Sequence, residues 1–194
     1  MFTTRGLGRF VQYLDKVRSP TIIDLGPGVG SNVAFFGECL GGKLIVEDLF
    51  MEFEHAAGHT DPENSGLLSL INGRLSHQAG SIDGVLCWDV FDYLDLAAAE
   101  SLAQQIIRIL KPGGAVFALF SESKSSERDY AKYAIVDTDH LESRTHSATR
   151  SKTRWWGSRD VYRLFHGLTV GETYLLKVQI REMLFQKPRL ATGF

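Results

Sequence analysis

Cysteine is nearly absent from this sequence: Cys39 and Cys87 are the only two in 194 residues. There is no C-x-x-C pair and no Cys/His cluster at metal-ligand spacing, so a disulfide scaffold and a structural zinc site are excluded and no metal is expected. Cys87 sits in an apolar run and reads as buried. An excess of one charge is also missing. Lys and Arg total 21 against 23 Asp and Glu, for a net charge of −2, and such a chain has no global field to draw it to nucleic acid or an anionic membrane. No uninterrupted apolar run approaches membrane-spanning length. The opening Met1-Phe2-Thr3-Thr4-Arg5 has no apolar stretch of signal-peptide type. The expectation is a cytoplasmic protein with no membrane partner, a monomer or homodimer of one domain.

What the chain does contain is ordinary core material, 44% hydrophobic residues, enough at this length to bury a core without cross-links. Apolar residues at Phe10, Val11, Leu14 and Val17 predict a helix that stops at Ser19-Pro20. Residues 21–25, Thr-Ile-Ile-Asp-Leu, read as a short buried strand. A helix over 31–40 ends at Gly41-Gly42, and 43–47 is a second strand. Residues 51–80 predict a helix, a loop around 58–66 and one short strand. A strand over 83–88, an amphipathic helix over 96–110, a Lys111-Pro112-Gly113-Gly114 stop and a strand over 115–120 follow. After a polar stretch at 121–158 come a helix beginning at Ser158-Arg159-Asp160 and two final strands, over 168–177 and 178–187. This order predicts a mainly parallel sheet covered on both faces, with an antiparallel edge.

The first strand runs into Asp24-Leu25-Gly26-Pro27-Gly28-Val29-Gly30. A glycine turn between a strand and a helix N-terminus is where α/β sheets bind nucleotide-like ligands, because backbone can approach a ligand where no Cβ intervenes. A dinucleotide fingerprint would need its third glycine at position 31, which is Ser31. Asp24 would repel a pyrophosphate and welcome an ammonium group. No Gly-Lys-Ser/Thr follows, so a P-loop is excluded.

Asp24-x-Gly26-x-Gly28-x-Gly30 resembles the first motif of the class I S-adenosylmethionine-dependent methyltransferases. Residues 81–88 are similar to that family's fourth-strand motif, and Arg108-Ile109-Leu110-Lys111-Pro112-Gly113-Gly114 to the turn before its fifth strand. The resemblance spans roughly 19–120. It implies a Rossmann-like three-layer sandwich whose seven-stranded, mainly parallel sheet carries an antiparallel C-terminal strand. It also implies S-adenosylmethionine as cofactor and S-adenosylhomocysteine as product, held by Asp24, Gly26, Pro27, Gly28 and Gly30. Glu47, or failing it Asp48, would bond the ribose hydroxyls, and Cys87, Trp88 and Asp89 at the fourth strand's end would lie beside the cofactor. One departure is plain: the family usually reads adenine with an acid or amide just after its third strand, and 69–81 offers Asn72, His77 and Gln78 but no Asp or Glu.

Position 88 onward lacks Asn/Asp-Pro-Pro-Tyr and no Pro-Cys pair is present, so adenine, glutamine and cytosine acceptors are disfavoured. The polar candidates for acceptor contact or catalysis are Asp89, Asp92, Tyr93, His140 and His146. Asp89 competes with a role as helix cap. The stretch 121–158 exceeds an ordinary loop and reads as a lid or hairpin insertion. Within it, Arg144, Arg150, Lys152 and Arg154 with Trp155 and Trp156 form the only basic-aromatic cluster. The leading expectation is a small-molecule methyltransferase. The alternatives are a catalytically silent cofactor-binding module and an RNA or protein methyltransferase.

Overall fold

The computed structural model describes residues 1–57, 67–122 and 128–189. Its centre is a six-stranded sheet in the order β3-β2-β4-β5-β9-β8, formed by β2 (Thr21–Asp24), β3 (Lys43–Val46), β4 (Ile82–Trp88), β5 (Leu110–Ser121), β8 (Thr169–Leu175) and β9 (Ile180–Gln186). The pairs β2–β3, β2–β4 and β4–β5 are parallel, while β9 runs antiparallel to both β5 and β8. Every residue of β4 is buried, as a strand covered on both faces requires.

One face is packed by α3 (Leu49–Ala57), α4 (Leu67–Ile71), α5 (Leu96–Ile109) and α6 (Ser158–Leu164), around Val85, Cys87, Leu102, Ile106, Val116 and Phe185. The other is packed by α1 (Gly6–Leu14) and α2 (Gly30–Leu40), around Phe10, Phe36, Leu86 and Phe117. The helix α5 starts where Asp95 accepts the Ala98 amide, the side-chain cap a helix N-terminus needs.

Three expectations change. The sheet has six strands among the described residues, not seven. The short strand expected within 51–80 is absent there, since Leu67–Ile71 is helical and the chain continues irregularly to Ile82. Leu67 and Ile71 are buried while Ser69, midway between them, is exposed, which fits a helix face, since in a strand all three would share one side. The loop expected at 58–66 lies outside the described residues. The expected stop at Lys111–Gly114 is instead absorbed into β5 as an irregularity, where the register jumps from Ile82–Leu110 to Gly84–Ala115. Gly113 takes φ +85° there, a conformation that suits glycine.

The polar stretch supplies β6 (Asp129–Asp137) and β7 (His140–Ser147), an antiparallel hairpin that β1 (Phe2–Thr3) extends to three strands. This small sheet packs over α2 through Tyr133, Ile135 and Leu141. A strap without regular structure, 148–157, then crosses the C-terminal ends of β4 and β5.

Candidate active site

The strand β2 delivers Asp24 to the mouth of the glycine turn, fully buried. Its Oδ1 accepts the Gly26 amide at 2.9 Å and the Trp88 indole N–H at 2.7 Å. Its Oδ2, equally buried, has no well-formed hydrogen bond among the described residues, although the Asn32 side chain lies near enough to favour the charged form. Burial holds the carboxyl up, to about 6, against the opposing pull of those donors. A buried carboxylate oxygen without a well-placed donor is costly, and a ligand ammonium would remove that cost.

Glycine is required at the first position of the turn, since a Cβ on Gly26 would fall 2.4 Å from Trp88 Cδ1. The indole therefore lies directly against the backbone there. Trp88 itself has φ +45°, and its ring stacks on Tyr133 of β6 at 5.2 Å and 12°. At Gly30 a Cβ would meet nothing within 4 Å. Gly28, Val29, Gly30 and Ser31 form one wall of a cleft of about 590 Å³, and Lys132, Glu142, Arg144 and His146 of the hairpin stand opposite.

The hairpin is fastened to this turn. Asn32, fully buried on α2, donates from Nδ2 to the Tyr133 carbonyl at 2.9 Å and accepts the Ile135 amide on Oδ1 at 2.8 Å. Its amide thus pairs with the free edge of β6 as a neighbouring strand would. A ladder of rings adds to it: His146 stacks on Tyr130, Tyr130 on Phe50 of α3, and Phe50 meets Tyr93 edge-on.

The two acids after β3 are in different situations. Glu47 is held at Oε2 by Arg74 (2.7 Å) and at Oε1 by His77 (2.8 Å), both from the irregular segment that replaces the expected strand. Asp48 caps α3 by accepting the Met51 amide at 3.1 Å, and it lines a narrow crevice with Pro27, Phe50, Tyr130 and Lys132. Each Glu47 oxygen thus already accepts from one donor, while Asp48 stands beside Pro27 of the turn.

The residues at the end of β4 also differ from expectation. Cys87 faces the apolar core, where burial, and then the nearby Asp24 charge, push its thiol well above the ordinary range. Asp89 makes no side-chain cap bond to the 3-10 turn Val90–Tyr93. It is 2% exposed and its Oδ2 pairs with Lys152 Nζ of the strap at 2.9 Å. Asp92, 1% exposed, also meets Lys152, at 3.3 Å, and accepts the Ser121 amide. Burial raises the Asp92 carboxyl to about 6, opposed by the Lys152 charge. The Tyr93 hydroxyl donates to the Asp129 carbonyl, and burial pushes its pKa far up. His140 is at the hairpin tip, paired with Asp137 at 2.9 Å and absent from the cleft lining. His146 does line the cleft.

The basic-aromatic cluster disperses. Arg144 pairs with Glu142, Lys152 is buried on acids, and Arg154 lies over the Trp156 ring at 4.5 Å. Trp156 is buried and donates to the Phe91 carbonyl, whereas Trp155 is 44% exposed. Among the described residues no group of His, Cys, Asp and Glu could hold a metal, and no helix is long and apolar enough to cross a membrane.

Sequence reasoning missed Asn32 and Arg74, and it placed Lys152 in a basic-aromatic cluster rather than on the acids after β4. Arg74 is a single cation in a polar segment and Asn32 lies in the first turn of a helix, so nothing local in the sequence distinguishes either from a solvated residue.

Comparison with known proteins accords with this geometry. The family model described as a methyltransferase domain matches residues 23–118, which contain the glycine turn and strands β3 to β5. No curated protein matches the chain. Among solved structures, the 1,6-didemethyltoxoflavin-N1-methyltransferase of Burkholderia thailandensis is similar, at 18% identity and TM-score 0.53 over 94% of this chain and 78% of that one. A SAM-dependent methyltransferase from Aquifex aeolicus is similar at 13% identity and TM-score 0.54, covering 92% and 88%. A glycopeptide N-methyltransferase, MtfA, complexed with S-adenosylmethionine, is similar at 13% and 0.52, covering 95% of both chains. These likenesses are of fold. The segment that matches the methyltransferase-domain family, residues 23–118, is the one that carries the glycine turn.

Proposed function

We propose that this protein binds S-adenosylmethionine over the glycine turn and transfers its methyl group to a small molecule. The observation that carries the cofactor reading is the buried Asp24 Oδ2, without a well-formed hydrogen bond, beside Gly26. An α-ammonium group would give it a charge-assisted donor, while a pyrophosphate would be repelled. In this reading Asp24 holds the amino end, the backbone at Gly28 and Gly30 approaches the ligand without a Cβ between, and Asp48 accepts from the ribose hydroxyls. When bound, the cofactor supplies an electrophilic methyl on a sulfonium. The chain positions the acceptor and excludes water, and positioning of this kind lowers a bimolecular barrier substantially. The small-molecule class is supported by the absence of a dense basic face, since Arg144 and Lys152 are already paired with acids.

The Trp88–Tyr133 stack covers Gly26, so loading requires the hairpin to move. Calorimetry with S-adenosylmethionine, S-adenosylhomocysteine and NAD tests the reading. Binding of the first two at micromolar strength and none of NAD is expected. NAD binding without the sulfonium ligand would overturn it.

A second reading, a cofactor-binding module without catalysis, is favoured by one feature: Arg74 and His77 occupy Glu47 in the segment where the family carries its adenine-reading acid. Cofactor binding with no methyl transfer across a broad metabolite extract would select it.

A further inference from the structure

Beyond the cofactor, the structure holds an acid pair that its own strap has filled. Asp89 and Asp92 stand at the C-terminal end of β4, the edge of an α/β sheet where ligands bind, and both are nearly inaccessible. Asp89 directly follows Trp88, the residue that bonds Asp24 and lies against Gly26. The pair receives one cation: Lys152 Nζ reaches Asp89 Oδ2 at 2.9 Å, Asp92 Oδ2 at 3.3 Å and Ser121 Oγ at 2.6 Å, and lies 5.6 Å from the centre of the Tyr93 ring. Asp89 Oδ1 and Asp92 Oδ1 are each buried without a well-formed hydrogen bond among the described residues, although the buried Tyr133 hydroxyl stands beside Asp89. Two carboxylates share one ammonium, so the site keeps an excess of negative charge.

We propose that Asp89 and Asp92 are the recognition site for a positively charged amine on the methyl acceptor, and that Lys152 stands in this site until the acceptor displaces it. The proposal deepens the methyltransferase reading above and rests on it. Its physical basis is charge conservation. Removing Lys152 from two buried carboxylates without replacement is strongly unfavourable, because a buried charge is left uncompensated. An alkylammonium exchanging for Lys152 leaves the charge of the site unchanged and can reach the two remaining oxygens with further N–H donors. A neutral alcohol cannot compensate the pair, and a carboxylate or phosphate is repelled by it. Tyr93 supplies an aromatic face that favours a cation. The strap backbone is anchored beside Lys152 by the Thr153 and Arg154 amides on the Asp92 carbonyl, so the exchange is made by the Lys152 side chain swinging out on its four-carbon stem. Once the ammonium is seated, Asp92 Oδ1 takes one of its protons, and the nitrogen is left neutral with its lone pair free. The Asp92 carboxyl, raised by burial to about 6, is closer to this task than an exposed aspartate.

The test uses the full chain. Lys152→Ala should lower the thermal midpoint, and methylammonium should restore it saturably, while sodium and tetramethylammonium at equal ionic strength should not. Equal effects of all three would overturn the proposal. Should Lys152→Ala not fold, the wild-type chain saturated with S-adenosylhomocysteine is probed by saturation-transfer NMR with benzylamine, benzyl alcohol and benzoate. Binding of benzylamine alone is expected, and binding of benzoate, or of none of the three, would overturn the amine site. Failure of S-adenosylhomocysteine to bind would overturn the cofactor reading instead. The Lys152→Ala rescue does not depend on cofactor, so the two failures are separable.

Discussion

Replacing Asn32 by alanine should release the hairpin from the glycine turn. The Asn32 side chain makes two buried hydrogen bonds, to the Tyr133 carbonyl at 2.9 Å and from the Ile135 amide at 2.8 Å. Truncation leaves both backbone groups without a partner, at about 1–3 kcal/mol each. Water entering the gap recovers part of this, so a net loss of about 3 kcal/mol is the working value. What remains to hold the hairpin is the Trp88–Tyr133 stack, at roughly 0.5–1.5 kcal/mol beyond its area, the Tyr130–Phe50 stack, the Tyr93 hydroxyl on the Asp129 carbonyl, the β1–β7 pairing and the burial of Ile135 and Leu141. A loss of ~3 kcal/mol is about a hundredfold in an equilibrium constant. Amides across β6 and β7 should therefore exchange roughly a hundredfold faster than in the wild type, while those of β4 and β5 stay protected. If the hairpin is what covers the turn, association of S-adenosylhomocysteine should accelerate in the same variant. The assay is hydrogen exchange read by mass spectrometry, with stopped-flow binding alongside. Unchanged protection over 129–147 in a folded Asn32→Ala protein would refute the reasoning, since docking would then not depend on this side chain.

Three further outcomes follow from the same geometry. Asp24→Asn keeps the acceptor for Gly26 and Trp88 but removes a buried charge, so the variant should melt higher than wild type near pH 8 while losing cofactor binding; thermal scans and calorimetry read the two effects. Asp48→Ala should weaken S-adenosylhomocysteine binding by about 1.5–3 kcal/mol, the range for a hydrogen bond to a charged group, and Glu47→Ala by much less, because its carboxylate is spent on Arg74 and His77; equal losses by calorimetry would contradict the assignment. Lys152→Met should cost about 3–5 kcal/mol of stability near pH 7.5 and recover on acidification. For the sign, Asp92 in the folded chain titrates at about 6, above its ordinary 3.8, and loss of the ammonium moves it higher still. The folded state then binds more protons than the unfolded one, so stability falls as pH rises through this window and returns as pH drops towards 5. Urea melts at pH 5 and 7.5 that show the same loss at both would refute it.

Much of this protein was determined by sequence alone, wherever a signal is local and periodic. The β-branched Thr21-Ile22-Ile23 run and its glycines define β2 and the turn, because only glycine at 26 admits the Trp88 indole. Apolar spacing sets α5, whose Leu102 and Ile106 are fully buried, and the final antiparallel pair is legible in two apolar runs. Residues 51–80 were not legible, because the short run Leu67-Leu68-Ser69-Leu70-Ile71, apolar but for Ser69, fits a helix face and a buried strand alike, and tertiary packing decided for α4. The roles of the acids were beyond local reading for another reason. Glu47 and Asp48 are adjacent and chemically similar, and what separates them is Arg74 and His77 arriving from 27 and 30 residues away. Asp89 and Asp92 looked open to an acceptor until Lys152, 63 and 60 residues further along, closed on them. A charge declares itself in sequence, but its partner is chosen by which segments the fold brings within 3 Å, and that only the tertiary structure decided.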